Sequence, residues 1–74
     1  MNKVIIKIKP KIHKGEDGEY SIIDENNKGG AIVWDMDPFK AMEKFKEASH
    51  LAVVVKTLME MSKGMKNFYI AEFI

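Results

Sequence analysis

The chain has 74 residues, with twelve basic and eleven acidic side chains for a formal charge of +1, and no cysteine. A single domain of this length buries only about 60–65% of its unfolded surface, so its own core gives marginal stability, and neither disulfides nor thiolate metal sites add to it. The near-neutral charge excludes a strong whole-molecule field toward nucleic acid or membrane, and self-association is the expected source of further burial.

The start, Met1-Asn2-Lys3-Val4-Ile5-Ile6, turns to Lys7 before any long apolar run develops. No signal peptide is expected, and no segment approaches the roughly 20 apolar residues of a membrane span. The expectation is one cytoplasmic domain over 1–74 with no membrane contact. Over residues 3–12, Ile6, Ile8, Pro10 and Ile12 share one parity, while Lys3, Lys7, Lys9, Lys11 and then His13 share the other. That period-2 pattern predicts a strand with one face on a core and one in water. Pro10 has no N–H for a ladder, which places the far end of this strand at an edge or a bulge. Gly15-Glu16-Asp17-Gly18 predicts a hairpin turn, residues 19–24 a second strand, Glu25-Asn26-Asn27-Lys28-Gly29-Gly30 a second turn, and Ala31-Ile-Val-Trp34 a third strand. Together these make an antiparallel meander.

A strand-to-helix joint follows. Asp37 is suited to accept from the free N–H groups of a helix's first turn, and Pro38 suits the first helical position, where a missing N–H costs nothing. No helix breaker intervenes before Gly64, placed as a C-cap glycine with Lys63 in the last turn, so the pattern predicts a helix over 38–63. Asn67–Ile74 reads as a final strand, apolar on both parities as a central strand is. The predicted class is α+β, in the order β-β-β-α-β.

Two apolar stripes run along the helix. Ala41, Phe45, Ala48, Ala52, Val55 and Met59 alternate in steps of four and three, the pattern expected to lie on the sheet. A second stripe, Leu51, Val54, Leu58, Met61 and Met65 beyond, is centred about 120° around the helix. One sheet cannot cover both, so the second stripe predicts self-association as a dimer or tetramer. A partner's docking site, or a helix that breaks at Ser49-His50 and folds back, are the alternatives.

Little in the chain suggests chemistry. A two-metal nuclease needs several converging carboxylates, and the first strand carries none. Asp35 and Asp37 alone make a poor cation site and read as capping and solvated groups. His13 and His50 have no nucleophile or paired carboxylate at catalytic spacing. No enzyme, metal or cofactor is expected. The lysine row could track phosphates or serve as a defence against edge pairing. Lys7, Lys9, Lys11 and His13, with Trp34 at the joint, form a candidate surface for a protein or nucleic-acid partner, although no aromatic is expected on the lysine face for base stacking.

Several stretches resemble the HicB-like antitoxin domain. Asp17-Gly18-Glu19-Tyr20-Ser21 is similar to that family's Asp-Gly-x-Tyr hairpin. Asp35-Met-Asp-Pro-Phe-Lys-Ala41 occupies the place of its Gly-Asp-Thr-x-x-Glu-Ala helix start, with Asp37 for the capping Thr and Ala41-Met42 for the Ala and its apolar neighbour. Phe45-Lys46-Glu47-Ala48 resembles its continuing helix. Asp35-Met36 and Lys40 depart from the family's Gly-Asp and Glu. The chain ends at Ile74, so the carboxy-terminal DNA-binding module of many such antitoxins is expected to be missing. The resemblance implies a sheet related to a reduced ribonuclease H fold, with the last strand parallel to and beside the first. It also implies neutralisation of a small toxin protein by occlusion. A nucleic-acid-binding accessory domain and a phage-type inhibitor of a host protein are the alternative functions.

Overall fold

A computed structural model describes residues 2–27 and 29–74. Its elements are β1 (Asn2–Ile8), β2 (Pro10–Lys14), β3 (Tyr20–Asp24), β4 (Ile32–Asp35), α1 (Pro38–Ser62) and β5 (Asn67–Phe73). The class is α+β as expected, with β2-β3-β4 an antiparallel meander and β5 parallel to β1. The predicted first strand is divided at Lys9. Successive carbonyls of a strand point to opposite edges, and here the Ile8 carbonyl accepts from the Ile74 N–H (2.9 Å) while the Lys9 carbonyl accepts from the Glu25 N–H (2.8 Å). The first half of the strand is therefore claimed by β5 on one edge and the second half by β3 on the other.

That arrangement explains Pro10. Its missing N–H belongs to the β5 edge, and the β1–β5 ladder ends at Ile8 opposite Phe73, so no ladder bond is sacrificed. The break leaves the Lys9 N–H without a strand partner, and the Asp24 side chain supplies one. Asp24 Oδ1 accepts from Lys9 N and from Asn26 N, each at 3.0 Å, and the Asn26 side-chain amide donates to the Lys7 carbonyl at 3.2 Å. Lys28, in the predicted second turn, lies outside the described residues. In the first turn Gly18 sits at φ +85°, a conformation glycine adopts without the Cβ penalty.

The helix is continuous through Ser49-His50. Asp37 accepts from the N–H groups of Phe39 (2.8 Å) and Lys40 (3.3 Å), with Pro38 at N1, as the sequence predicted. At the other end Met65 N donates to the Glu60 carbonyl and Gly64 N to the Met61 carbonyl, each at 3.0 Å. With Gly64 at φ +80° this is a Schellman closure, which satisfies the last free carbonyls.

The face of α1 that meets the sheet differs from the predicted stripe. Ala41, Phe45, Ser49, Val53 and Thr57 are buried, whereas Ala48 is half-buried and Ala52, Val55 and Met59 are exposed. Steps of four at 100° per residue advance about 40° each time, so the contact line winds around the helix as α1 passes from β3 and β4 toward β5. Two polar residues on that line have local roles. Thr57 Oγ1 donates to the Val53 carbonyl (3.2 Å) and accepts from the Tyr69 N–H (3.0 Å). Through it the outer edge of β5 is hydrogen-bonded to the helix. Among the described residues β5 is thus an edge strand with β1 as its sole strand neighbour, not the central strand its apolar sequence predicted. One of its faces packs on the helix, while Phe68 on the other is exposed.

The core comprises Ile8, Ile22, Ala41, Phe45 and Val53, with the rings of Phe45 and Phe73 edge to face at 6.5 Å. The molecule is long, 46 × 19 × 18 Å, with a radius of gyration of 14.0 Å against about 11 Å for a compact chain of this length. It exposes 5432 Å², where a compact monomer of this mass exposes about 4,650 Å².

Candidate interaction surfaces

Exposed apolar side chains concentrate on two faces. On α1, Leu51 (64% exposed), Val54, Leu58 (60%), Met61 and the following Met65 are all open. Their centre lies about 100° around the helix from the local buried line at Val53 and Thr57, to one side of the contact with the sheet. Nothing in the described fold covers them. The area by which the chain exceeds a compact monomer is close to the roughly 800 Å² that one partner contributes to a standard interface.

The second face is the outer side of the sheet, assembled by strand register. His13, Ser21 and Trp34 stand in one cross-strand row and Lys11, Ile23 and Ile32 in the next. In the parallel pair, Lys3 lies opposite Phe68, Ile5 opposite Ile70 and Lys7 opposite Glu72. Trp34 is 55% exposed, so it is not a core residue. It shares the lysine face, contrary to the expectation that no aromatic does. Residues 31–34 are too far in sequence from the lysines for periodicity to reveal this; the two-step ladder β2-β3-β4 brings Trp34 across. Lys3, Lys7, Lys9, Lys11 and His13 are exposed as predicted. Their charge is partly offset, because Lys9 Nζ is 3.8 Å from Glu25 and Lys7 faces Glu72 across the ladder.

The acidic and imidazole groups near the joint have structural partners. Asp35 accepts from the Asp37 N–H (2.9 Å) and from Lys44 Nζ (2.6 Å). These two donors, Lys44 foremost, hold its carboxyl below the ordinary 3.8. His50 packs edge to face on Phe73 at 6.0 Å. Glu60 accepts from the Asn67 amide at 3.2 Å, with the Tyr69 phenol beside it. The tyrosine contact pulls Glu60 below its ordinary value and pushes the Tyr69 phenol up. Among the described residues no three His, Cys, Asp or Glu side chains are grouped as metal ligands, and no helix is long and apolar enough to cross a membrane.

A carboxyl whose folded pKa is depressed contributes stability above its unfolded pKa and loses it as pH falls through the folded value. For Asp35 that loss lies below about 3.8. Lys44→Gln should therefore lower the melting temperature at neutral pH, and its gap from wild type should close as pH is stepped down below that value. A gap that stays constant with pH would show that the Asp35–Lys44 pair is not its origin.

No family model, curated protein or solved structure matches the chain.

Proposed function

We propose that this protein is a non-enzymatic, self-associating binding module. The carrying observation is the exposed row Leu51, Val54, Leu58 and Met61 on a side of α1 that the sheet does not cover. A dimer through this row would cover apolar side chains that the fold of one chain leaves in water. In the assembled form the outer sheet face, with Trp34 and its isoleucine neighbours, remains for a second protein, since exposed aromatic anchors beside apolar residues suit such contacts. The resemblance of the first hairpin and the helix start to HicB-like antitoxins gives that partner a class, a small toxin protein neutralised by occlusion in the cytoplasm. The two parts of the reading are tested separately. Light scattering coupled to size exclusion should give a dimer, or a tetramer built from dimers, at micromolar concentration; a monomer would overturn self-association. If a neighbouring reading frame encodes a small basic protein that arrests growth, co-expression of this chain should restore growth and the two should co-elute. Unrelieved arrest would overturn the antitoxin role.

Trp34 favours a second reading, a single-stranded nucleic-acid surface in which bases stack on the indole and Lys11 and His13 approach phosphates. The offset of Lys9 by Glu25 and of Lys7 by Glu72 places it behind the first. Changing Lys7, Lys9 and Lys11 together to Gln should leave fold and oligomeric state unchanged, because these side chains are exposed. Under this reading the same change weakens binding to single-stranded DNA and reduces the salt slope by roughly 0.7 for each phosphate that the lysines no longer neutralise. A wild-type gel-shift titration that stays flat at low salt removes it.

A further inference from the structure

Where the sheet divides at Lys9, a cleft of about 130 Å³ opens between β1, the turn after β3 and the middle of α1. Ile6, Ile8 and Val53 form apolar walls, and Asp24, Ser49 and Lys56 bring the polar groups. Two of these polar residues are nine-tenths buried: Asp24 is 6% exposed and Ser49 5%. Asp24 uses Oδ1 for both of its backbone hydrogen bonds, which leaves Oδ2 with no partner among the described residues. The Ser49 hydroxyl has none either. No enclosed side-chain nitrogen or oxygen of the described residues lacks a partner, so both free oxygens keep some exposure, and both residues line the cleft.

A buried carboxylate ordinarily has a cation beside it, because removing a charge from water is costly without one. Among the described residues, the ammonium groups nearest this cleft are engaged elsewhere. Lys9 Nζ lies by Glu25 at 3.8 Å, and Lys56 Nζ stands over the Tyr69 ring at 4.8 Å. The volume equals roughly four waters at ≈ 30 Å³ each, enough for one short aliphatic chain with a polar head.

We propose that this cleft binds one alkylammonium or guanidinium group, with its stem against Ile6, Ile8 and Val53 and its charged head on Asp24 Oδ2 and Ser49 Oγ. The same chemistry is carried by a free small amine and by a lysine or arginine side chain of a protein partner. The site lies on the sheet side of α1, opposite the row assigned to self-association, so it stands or falls independently of the oligomeric state.

The test is a titration of the isotope-labelled full chain, followed by amide and methyl NMR, with n-butylammonium, n-butylguanidinium, a blocked peptide bearing one central arginine, and n-butanol as the neutral control. A cation should give saturable shifts at Ile6, Ile8, Asn26 and Val53, and n-butanol should not. Asp24→Asn keeps the Oδ1 acceptor for both backbone N–H groups while removing the charge, and it should weaken cation binding at least tenfold. Should Asp24→Asn fail to fold, Ser49→Ala and the cation-versus-butanol contrast on the wild type carry the test. Binding of the peptide far more tightly than of the free amines identifies a partner side chain as the source; equal binding identifies a small amine. Shifts that are absent, that n-butanol reproduces, or that survive Asp24→Asn unchanged would overturn the proposal.

Discussion

If the outward row of α1 is the self-association surface proposed above, Leu58→Lys should yield monomers. Leu58 is 60% exposed at the middle of the outward row of α1, and in a two-fold interface each substitution acts twice. The change removes two leucine side chains whose burial is worth about 1.5–3 kcal/mol each. It also places two ammonium groups in an apolar seam, for a loss of several kcal/mol per dimer. In the monomer the same lysine stands in water and leaves the core of Ile22, Phe45 and Val53 untouched, so the far-ultraviolet circular dichroism of a dilute sample should be preserved. The control belongs on the charged half of the helix. Lys44 is unsuitable because it is bonded to Asp35, but Glu43 is exposed, and Glu43→Lys should leave both mass and melting temperature nearly unchanged. A Leu58→Lys protein with the mass of the wild-type assembly would place the interface elsewhere.

Asp24→Ala should be the most destabilising polar substitution. It removes the acceptor shared by the Lys9 and Asn26 N–H groups at the point where the two ladders meet, and leaves both donors unsatisfied in a partly buried turn. Each unsatisfied donor costs about 1–3 kcal/mol, so about 2–6 kcal/mol in total is expected. A domain of this length commands roughly 4–11 kcal/mol, so the effect is a large share of it. Asp24→Asn, with the acceptor retained, should recover most of the difference in urea denaturation. If Asn and Ala prove equally damaging, the carboxylate's charge rather than its hydrogen bonds holds the split sheet.

Local chemistry made the helix ends, the hairpin turns and the outward lysines readable in advance. Asp37, Pro38 and Gly64 are each required by the backbone geometry of a helix end, and such geometry needs no distant partner. The helix face was legible only as far as Phe45. Beyond it the contact line passes through Ser49 and Thr57, which an apolar pattern skips, and Thr57 is buried because a strand 12 residues away donates to it. The break at Lys9 could be suspected from Pro10 but not located, since it depends on β5 and β3 taking opposite edges of one strand. Trp34 joins the lysine face, and Asp24 and Ser49 meet across the cleft, through pairings between separate elements. No single stretch of sequence encodes either juxtaposition.

The pairing of β1 with β5 also bears on the order in which the chain folds. Register partners such as Asn2 and Asn67 are separated by 65 positions, so this ladder closes a loop of almost the whole chain. The closure entropy scales as (3/2)RT ln n, about 3.7 kcal/mol here before any constant. The β2-β3-β4 hairpins and α1 are built from near neighbours and meet no such barrier, so they can form first and provide the surface on which the two ends dock. The parallel ladder is then the last part to assemble and the first to open. Transient opening would release β1, with its unprotected isoleucines, while the remainder of the domain stays folded.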